Sequence, residues 1–459
     1  MYYPRLIDQY LAEWALRQDH KPLLLRGARQ VGKSTAVRHL AESFDGFVEV
    51  NFERQPAYMQ LFEADLDARR IVTQIAAMAG KPVMPGKTLL FLDEVQICPK
   101  AIMALRFFRE DMPALHVVAA GSLLEFALDE LPTFGVGRIH SMFMFPLTFD
   151  EFLSACGDTL LLESRNTATA QSPLPEPLHQ RLVAQMRTYM LVGGMPESVA
   201  KWVETHDYLA CQEVQDDIVV TYEDDFAKYR KKTDPTLLRL TLRSAAVQAT
   251  KRFVYSRVGN YRAEEVKKSL EMLSKAGIII PVTATAANGL PLGGEADESR
   301  RKYLLLDTGL MLRLLNMATG DISEITQDIL TDDAAKLVNK GPMAEMVAGL
   351  ELLHYRTPNI RQELFYWQRE ARNSQAEIDY VSAYRSEVLP IEIKAGTQGG
   401  MKSLWTFMRE KRLSRAVRCS LENMGKFAYT DAEANNAERA VAVCPLYAVS
   451  QMPRLLASL

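Results

Sequence analysis

The chain has 459 residues, of which 48% are apolar and 24% charged, with 24 Gly and 21 Pro. That balance excludes wholesale disorder, collagen-like repeats and low-complexity architecture, and the length suits about three domains at roughly 150 residues each. Fifty-four Lys and Arg against fifty-seven Asp and Glu leave a net charge of −3, so any affinity for nucleic acid has to be local.

The N-terminal stretch MYYPRLIDQYLAEW is amphipathic and carries Asp8 and Glu13, unlike the basic-then-apolar order of a signal peptide. No apolar run reaches the 18 or so residues that a membrane span needs. Cys98, Cys156, Cys211, Cys419 and Cys444 are scattered and odd in number, without CxxC spacing. They argue against a disulfide framework or a zinc site and for a reducing, cytoplasmic setting. Short apolar runs at Lys21–Arg26, Phe47–Phe52, Thr88–Leu92 and His116–Ala120, separated by amphipathic stretches, predict buried parallel strands with helical crossovers. QSPLPEP (Gln171–Pro177) reads as a linker, and helical periodicity dominates from about 175 to 310. Asn288–Ser299 reads as an exposed loop or hairpin tip. A helix is expected at Pro342–His354, then strands at Leu364–Trp367, Glu377–Tyr384 and Leu389–Gly396, with a turn at Ala371–Ser374.

The strongest motif is LLLRGARQVGKST. Gly27, Ala28, Arg29, Gln30, Val31, Gly32, Lys33, Ser34 and Thr35 form a P-loop between an apolar strand and a helix expected at Thr35–Ser43. Glycines let the backbone curl so that its amides point at phosphate oxygens, and the helix adds its positive end. Lys33 then reaches the β- and γ-phosphates of ATP, and Ser34 offers a hydroxyl to Mg²⁺. About sixty residues on, TLLFLDEVQ ends in Asp93 and Glu94, the Walker B arrangement. Asp93 is the candidate Mg²⁺ holder and Glu94 the candidate base for the attacking water. The next strand ends at Gly121-Ser122, where Ser122 suits either a γ-phosphate sensor or a helix N-cap over Leu123–Leu128. Arg138 suits either an arginine finger toward a neighbouring subunit or a surface ion pair.

RGARQVGKST, FLDEVQ, AAGSLLEF, Gly137–Phe152 and GGMPE (Gly193–Glu197) together resemble a group of prokaryotic AAA-type ATPases, a resemblance that covers nearly the whole chain. In that group the ATPase is fused to a winged-helix segment and a restriction-endonuclease-like C-terminal domain. The resemblance implies an α/β fold in four parts. They are an AAA-type P-loop NTPase core (1–170), a helical lid (171–230), a winged-helix middle domain (231–320) and an α/β restriction-endonuclease-like C-terminal domain (335–459). It also implies a homo-oligomer. GGMPE is then a tight turn between lid helices.

Residues 228–302 hold sixteen Lys or Arg and seven Asp or Glu, the local excess expected of a phosphate-backbone binder. Val266, Leu270 and Leu273 at helical spacing, then Gly277 and a β-branched strand, read as a recognition helix and wing. KRFVYSRVGN is a poor match to the regular second helix of such a domain. Arg262, Lys267, Lys268 and Lys275 are the candidate DNA contacts, with Ser299–Lys302 at the wing. The alternative is a protein-interaction or lid-extension domain whose basic face is merely solvated.

Near the C-terminus, Glu345 on a helix, Asp379 on a strand, and Glu392 with Lys394 on the next strand resemble the PD-(D/E)xK nuclease superfamily, with Ile378 where the motif name has proline. Residues two apart on a strand share a face. The resemblance implies that Asp379 and Glu392 chelate Mg²⁺ or Mn²⁺ with the Ile393 carbonyl, that Glu345 completes the shell or fixes an outer-shell water, and that Lys394 positions or deprotonates the attacking water. Such a domain either cuts DNA or clamps it without cutting. Thr406–Arg418 is expected to be a basic helix that lines the groove or faces solvent. The function expected is therefore an Mg²⁺-dependent ATPase coupled to DNA binding with a nuclease-like end domain. The rival is an ATP-driven regulatory or protein-remodelling switch whose end domain is a docking module.

Overall fold

The runs at 23–26, 88–93 and 116–120 are apolar except at their ends, where Arg26, Thr88, Asp93 and His116 stand, so neither face of a strand made from their interiors tolerates water. In the computed structural model they are β1 (Leu23–Arg26), β3 (Thr88–Asp93) and β4 (His116–Ala120), joined by β2 (Gly46–Asn51) and β5 (His140–Phe143). The structure describes residues 2–122, 124–130, 137–229, 233–315, 340–369, 376–395 and 400–457. The expected turn at Ala371–Ser374, Leu123, Gly396 and the boundary between 320 and 335 lie outside the described residues.

The chain forms two units. The first comprises 1–147 with 275–278 and 357–361; the second comprises the remainder. In the first, five strands run in the order β2-β3-β4-β1-β5, every pairing parallel. Residues of β3 and β4 are buried throughout. A core of Phe52, Phe62, Ile71, Ile75, Leu105 and Phe108 joins the sheet to the helices Ala68–Ala79 and Pro99–Asp111. The helix after the P-loop starts at Lys33, two residues before the predicted start, and runs to Ala41. Strand β5 has no signature of its own in the sequence. Two of its four residues are polar, and its pairing with β1 defines it.

The second unit begins with helices, among them Glu176–Val192, Pro196–Thr205, Tyr208–Asp225 and Pro235–Val247. GGMPE turns between the first two of these. Gly193 has φ +73°, and a Cβ there would lie 2.3 Å from Oδ1 of Asp307, so only glycine fits. The helix Ala263–Lys275 buries Val266, Leu270 and Leu273, the predicted stripe. KRFVYSRVGN forms only a short 3₁₀ turn, Tyr255–Arg257.

The strands that follow build one mixed eight-stranded sheet. They are β6 (Ile279–Thr285), β7 (Ala296–Leu305), β8 (Leu364–Gln368), β9 (Glu377–Tyr384), β10 (Glu387–Ile393), β11 (Arg415–Ser420), β12 (Gly425–Asp431) and β13 (Ala437–Pro445). Their order is β12-β13-β11-β10-β9-β8-β6-β7. The hairpin expected as a wing thus pairs, through β6 and β8, with the C-terminal strands. The expected basic helix Thr406–Arg418 is corrected. A helix occupies Lys402–Glu410, and Arg415–Arg418 opens β11, where Ala416 and Val417 are buried in the sheet. Among the described residues no helix is long and apolar enough to cross a membrane, and all five cysteines are free thiols.

Candidate nucleotide site and C-terminal carboxylate cluster

Because β1, β4 and β3 are adjacent and parallel, the loops at their C-terminal ends meet on one edge of the sheet, where open α/β sheets bind ligands. The loop after β1 is tight. Gly27 has φ +145°, and a Cβ there would sit 2.2 Å from the Met144 carbonyl oxygen. Arg5 braces the same loop, donating to the carbonyls of Val31 (3.1 Å) and Phe145 (2.7 Å), a role the sequence reading missed. Ala28 and Val31 are buried, Arg29 and Gly32 half-buried, and Gln30 and Thr35 exposed.

Lys33 is buried, and its Nζ donates to the carbonyls of Gly27 (2.9 Å) and Ala28 (2.7 Å). Burial pushes its ammonium down to about 8, against the opposing pull of Glu94 and Asp93. Ser34 Oγ donates to Asp93, 3.1 and 3.2 Å from its two oxygens. Asn51 Nδ2 donates to Asp93 Oδ2 at 3.1 Å, and the Glu94 amide to Oδ1 at 3.1 Å. Asp93 is held above the ordinary carboxylate range, chiefly by burial and next by Glu94. Glu94 takes a left-handed backbone, φ +52°, and accepts a 2.5 Å hydrogen bond from Gln96 Nε2. Strain of this kind persists where the surroundings over-determine it. Asn51 and Gln96 were missing from the sequence reading. The available signal for Asn51 was its place at the end of β2, in register with Asp93.

This donor set fits a magnesium nucleotide. A hydroxyl and a carboxylate share one point at a helix N-terminus, beside a buried ammonium and a second carboxylate. Ser122 stands half-buried just beyond the C-terminal end of β4. Arg138 precedes β5, at the end of the sheet away from the P-loop. It is half-exposed and pairs with Glu110 at 3.2 Å, so it stands apart from this chain's own site.

Of the expected DNA contacts, Arg262, Lys267 and Lys268 are exposed, and so are Glu264, Glu265 and Glu271 on the same helix. Lys275, which belongs to the first unit, pairs with Asp129 of that unit. Elsewhere in the basic segment, Lys228 pairs with Asp225, Arg239 with Glu223, Arg300 with Asp297 and Arg301 with Glu298. Arg243, Lys251, Arg252 and Arg257 are exposed and make no ion pair among the described residues.

The C-terminal residues converge, with one unexpected member. Glu345 projects from the helix Lys340–His354, Asp379 from β9 and Glu392 from β10, with Lys394 just beyond that strand. Lys302 of β7, expected at the wing, is buried, 1% exposed. Its Nζ stands 2.9 Å from Glu345 Oε1 and pairs with Glu377. Lys394 Nζ pairs with Glu392 Oε1 at 2.6 Å, and the Ile393 amide donates to Asp379 Oδ2 at 2.7 Å. Burial raises the Glu345, Asp379 and Glu392 carboxyls above their ordinary range. The metal set expected from Asp379, Glu392 and Glu345 is not assembled. Among the described residues no group of three or more His, Cys, Asp or Glu is arranged to hold a metal ion. The physical reason is that the carboxylate oxygens turn to lysines and an amide. The residues as placed do not fit the metal.

Comparison with known proteins bears on the first unit. Residues 19–153 match the family model described as an AAA domain. Residues 183–321 and 340–445 match two domains of unknown function, DUF8612 and DUF4143. No curated protein matches the sequence. Among solved structures, the chain is similar to the Aeropyrum pernix ORC1 protein in complex with DNA, at 15% identity and TM-score 0.27, over 68% of this chain and 91% of that one. It is also similar to the Saccharomyces cerevisiae Hsp104–ADP complex, at 11% identity and TM-score 0.25, over 59% of this chain and 37% of that one. With a P-loop, an acidic pair and five parallel strands in one sheet, residues 19–153 form an AAA-type P-loop ATPase domain.

Proposed function

We propose that the protein is a Mg²⁺-dependent ATPase whose nucleotide cycle is coupled to DNA binding. The observation that carries the reading is the meeting of Lys33, Ser34, Asp93 and Glu94 at the ends of β1 and β3, with Ser34 Oγ 3.1 Å from Asp93. Ser34 and Asp93 would hold Mg²⁺, which when bound neutralises charge on the phosphates. Lys33 neutralises further phosphate charge from inside the loop. The loop amides and the helix Lys33–Ala41 orient the triphosphate. Glu94, steadied by Gln96, takes the proton of the attacking water.

The DNA half of the reading is supported by the exposed cations Arg243, Lys251, Arg252, Arg257, Arg262, Lys267 and Lys268. One observation favours the rival, a protein-docking switch: Glu264, Glu265 and Glu271 interleave with Lys267 and Lys268 on one helix. ATPase rate and gel shift with duplex, branched and single-stranded DNA, over a salt series, decide between them. Stimulation together with a shift that weakens steeply with salt is expected. No stimulation and no shift by any of these DNAs would remove DNA from the reading. Loss of all turnover in Lys33→Ala is the control for the nucleotide site.

A further inference from the structure

The nuclease-like placement of Glu345, Asp379 and Glu392 invites a metal, yet a cation of the chain's own is already there. Lys302 reaches in from β7, the edge strand of the eight-stranded sheet. Its ammonium lies between Glu345 of a helix and Glu377 of β9, above the Tyr366 ring, 4.9 Å from the centroid. A buried ammonium is tolerated only where carboxylates face it, and carboxylates packed together need a cation as much as it needs them. A hard divalent cation needs several oxygens turned to one point. Here Glu345 and Glu377 turn toward Lys302, Asp379 Oδ2 takes the Ile393 amide, and Glu392 Oε1 takes Lys394. Among the described residues of this cluster, Glu392 Oε2 and the Tyr366 hydroxyl are buried without a partner, and these two atoms are not the several oxygens that a divalent ion needs.

We infer that Lys302 is the resident cation of this cluster, standing where a nuclease would place its metal, so that the C-terminal sheet is a metal-free, non-hydrolysing module. The same ion pairs join the β6–β7 hairpin to β9 and to the helix Lys340–His354. The function left to the sheet is then to anchor that hairpin. This inference is independent of the nucleotide site, which keeps its own Mg²⁺.

The test is Mn²⁺ binding to the full chain, followed by the electron paramagnetic resonance signal of free Mn²⁺. Without nucleotide no sub-millimolar site is expected. With ATP one site per chain is expected, and Asp93→Asn abolishes it. A nucleotide-independent site that survives Asp93→Asn but is lost in Glu392→Gln overturns the inference. A second arm removes the cation. Lys302→Met is expected to lower the melting temperature or to prevent folding, and the triple variant with Glu345→Gln and Glu377→Gln to restore stability without added metal. A Lys302→Met protein as stable as wild type, or a triple variant that is no better than the single one, also overturns it. If the nucleotide site binds no Mn²⁺ with ATP while both arms otherwise behave as expected, the ATPase reading fails and the inference about Lys302 stands.

Discussion

Gly27 shows how closely the nucleotide loop is constrained. A methyl group there meets the Met144 carbonyl at 2.2 Å, in a φ that L-residues rarely adopt. Gly27→Ala is expected to lower stability by about 2 kcal/mol or more and to weaken ATP binding, read by thermal melting and calorimetric titration. Glu94→Gln keeps the backbone and removes the base. Turnover is expected to fall about 10²- to 10⁴-fold with ATP affinity kept, which separates chemistry from binding. Lys33 adds a pH signature. Its ammonium is held at about 8 in the free protein, so the charged form disappears as pH rises through that value. The expected result is a fall in kcat/KM for ATP above about pH 8, since that ratio reports groups of the free enzyme. These roles were legible because the P-loop and the acidic pair are contiguous in the chain. Arg5, Asn51 and Gln96 were not, because each acts through a partner on another segment or through a fold-dependent side-chain turn.

At the scale of elements, the turn at GGMPE owes its glycine to a residue more than a hundred positions away. Asp307 is buried and accepts hydrogen bonds from the amides of Gly194 (2.6 Å) and Leu310 (3.0 Å), the latter opening the helix Thr308–Leu314. Burial nevertheless raises its carboxyl to about 6, because the amides offset only part of the desolvation. An acid whose folded value lies above its ordinary one stabilises the fold while protonated, and that contribution is lost as pH rises through the folded value. Relative to Asp307→Asn, wild type is therefore expected to lose about 2 kcal/mol between pH 4 and pH 7, measured by denaturant unfolding. A constant difference between the two proteins across that range contradicts the assignment. The sequence alone identified the turn and the helices beside it. The reason for the turn's shape came from Asp307, which nothing local connects to it.

Over the whole molecule, the chain's charge is better described by its pairing than by its sum. Among the described residues between 228 and 302, six cations form ion pairs, several with acids outside that segment, and Lys302 is buried. The DNA reading therefore rests on the exposed, unpaired set, and Lys267→Glu combined with Lys268→Glu tests it. Affinity is expected to drop for every DNA sequence alike, and the slope of log affinity against log salt to lessen by about 2. An unchanged slope places these lysines outside the contact.

By itself the sequence determined the parallel strands, the P-loop with its acidic pair, and the pattern of acids in the C-terminal third. Each of these is written in contiguous residues whose periodicity and local geometry act over a few residues. Tertiary structure alone decided that β5 joins β1, that the expected wing belongs to the C-terminal sheet, and that Lys302 reaches Glu345 across 43 positions of chain. Pairing between distant segments is set by which faces bury together and which charges must then be neutralised, and no local pattern encodes that choice.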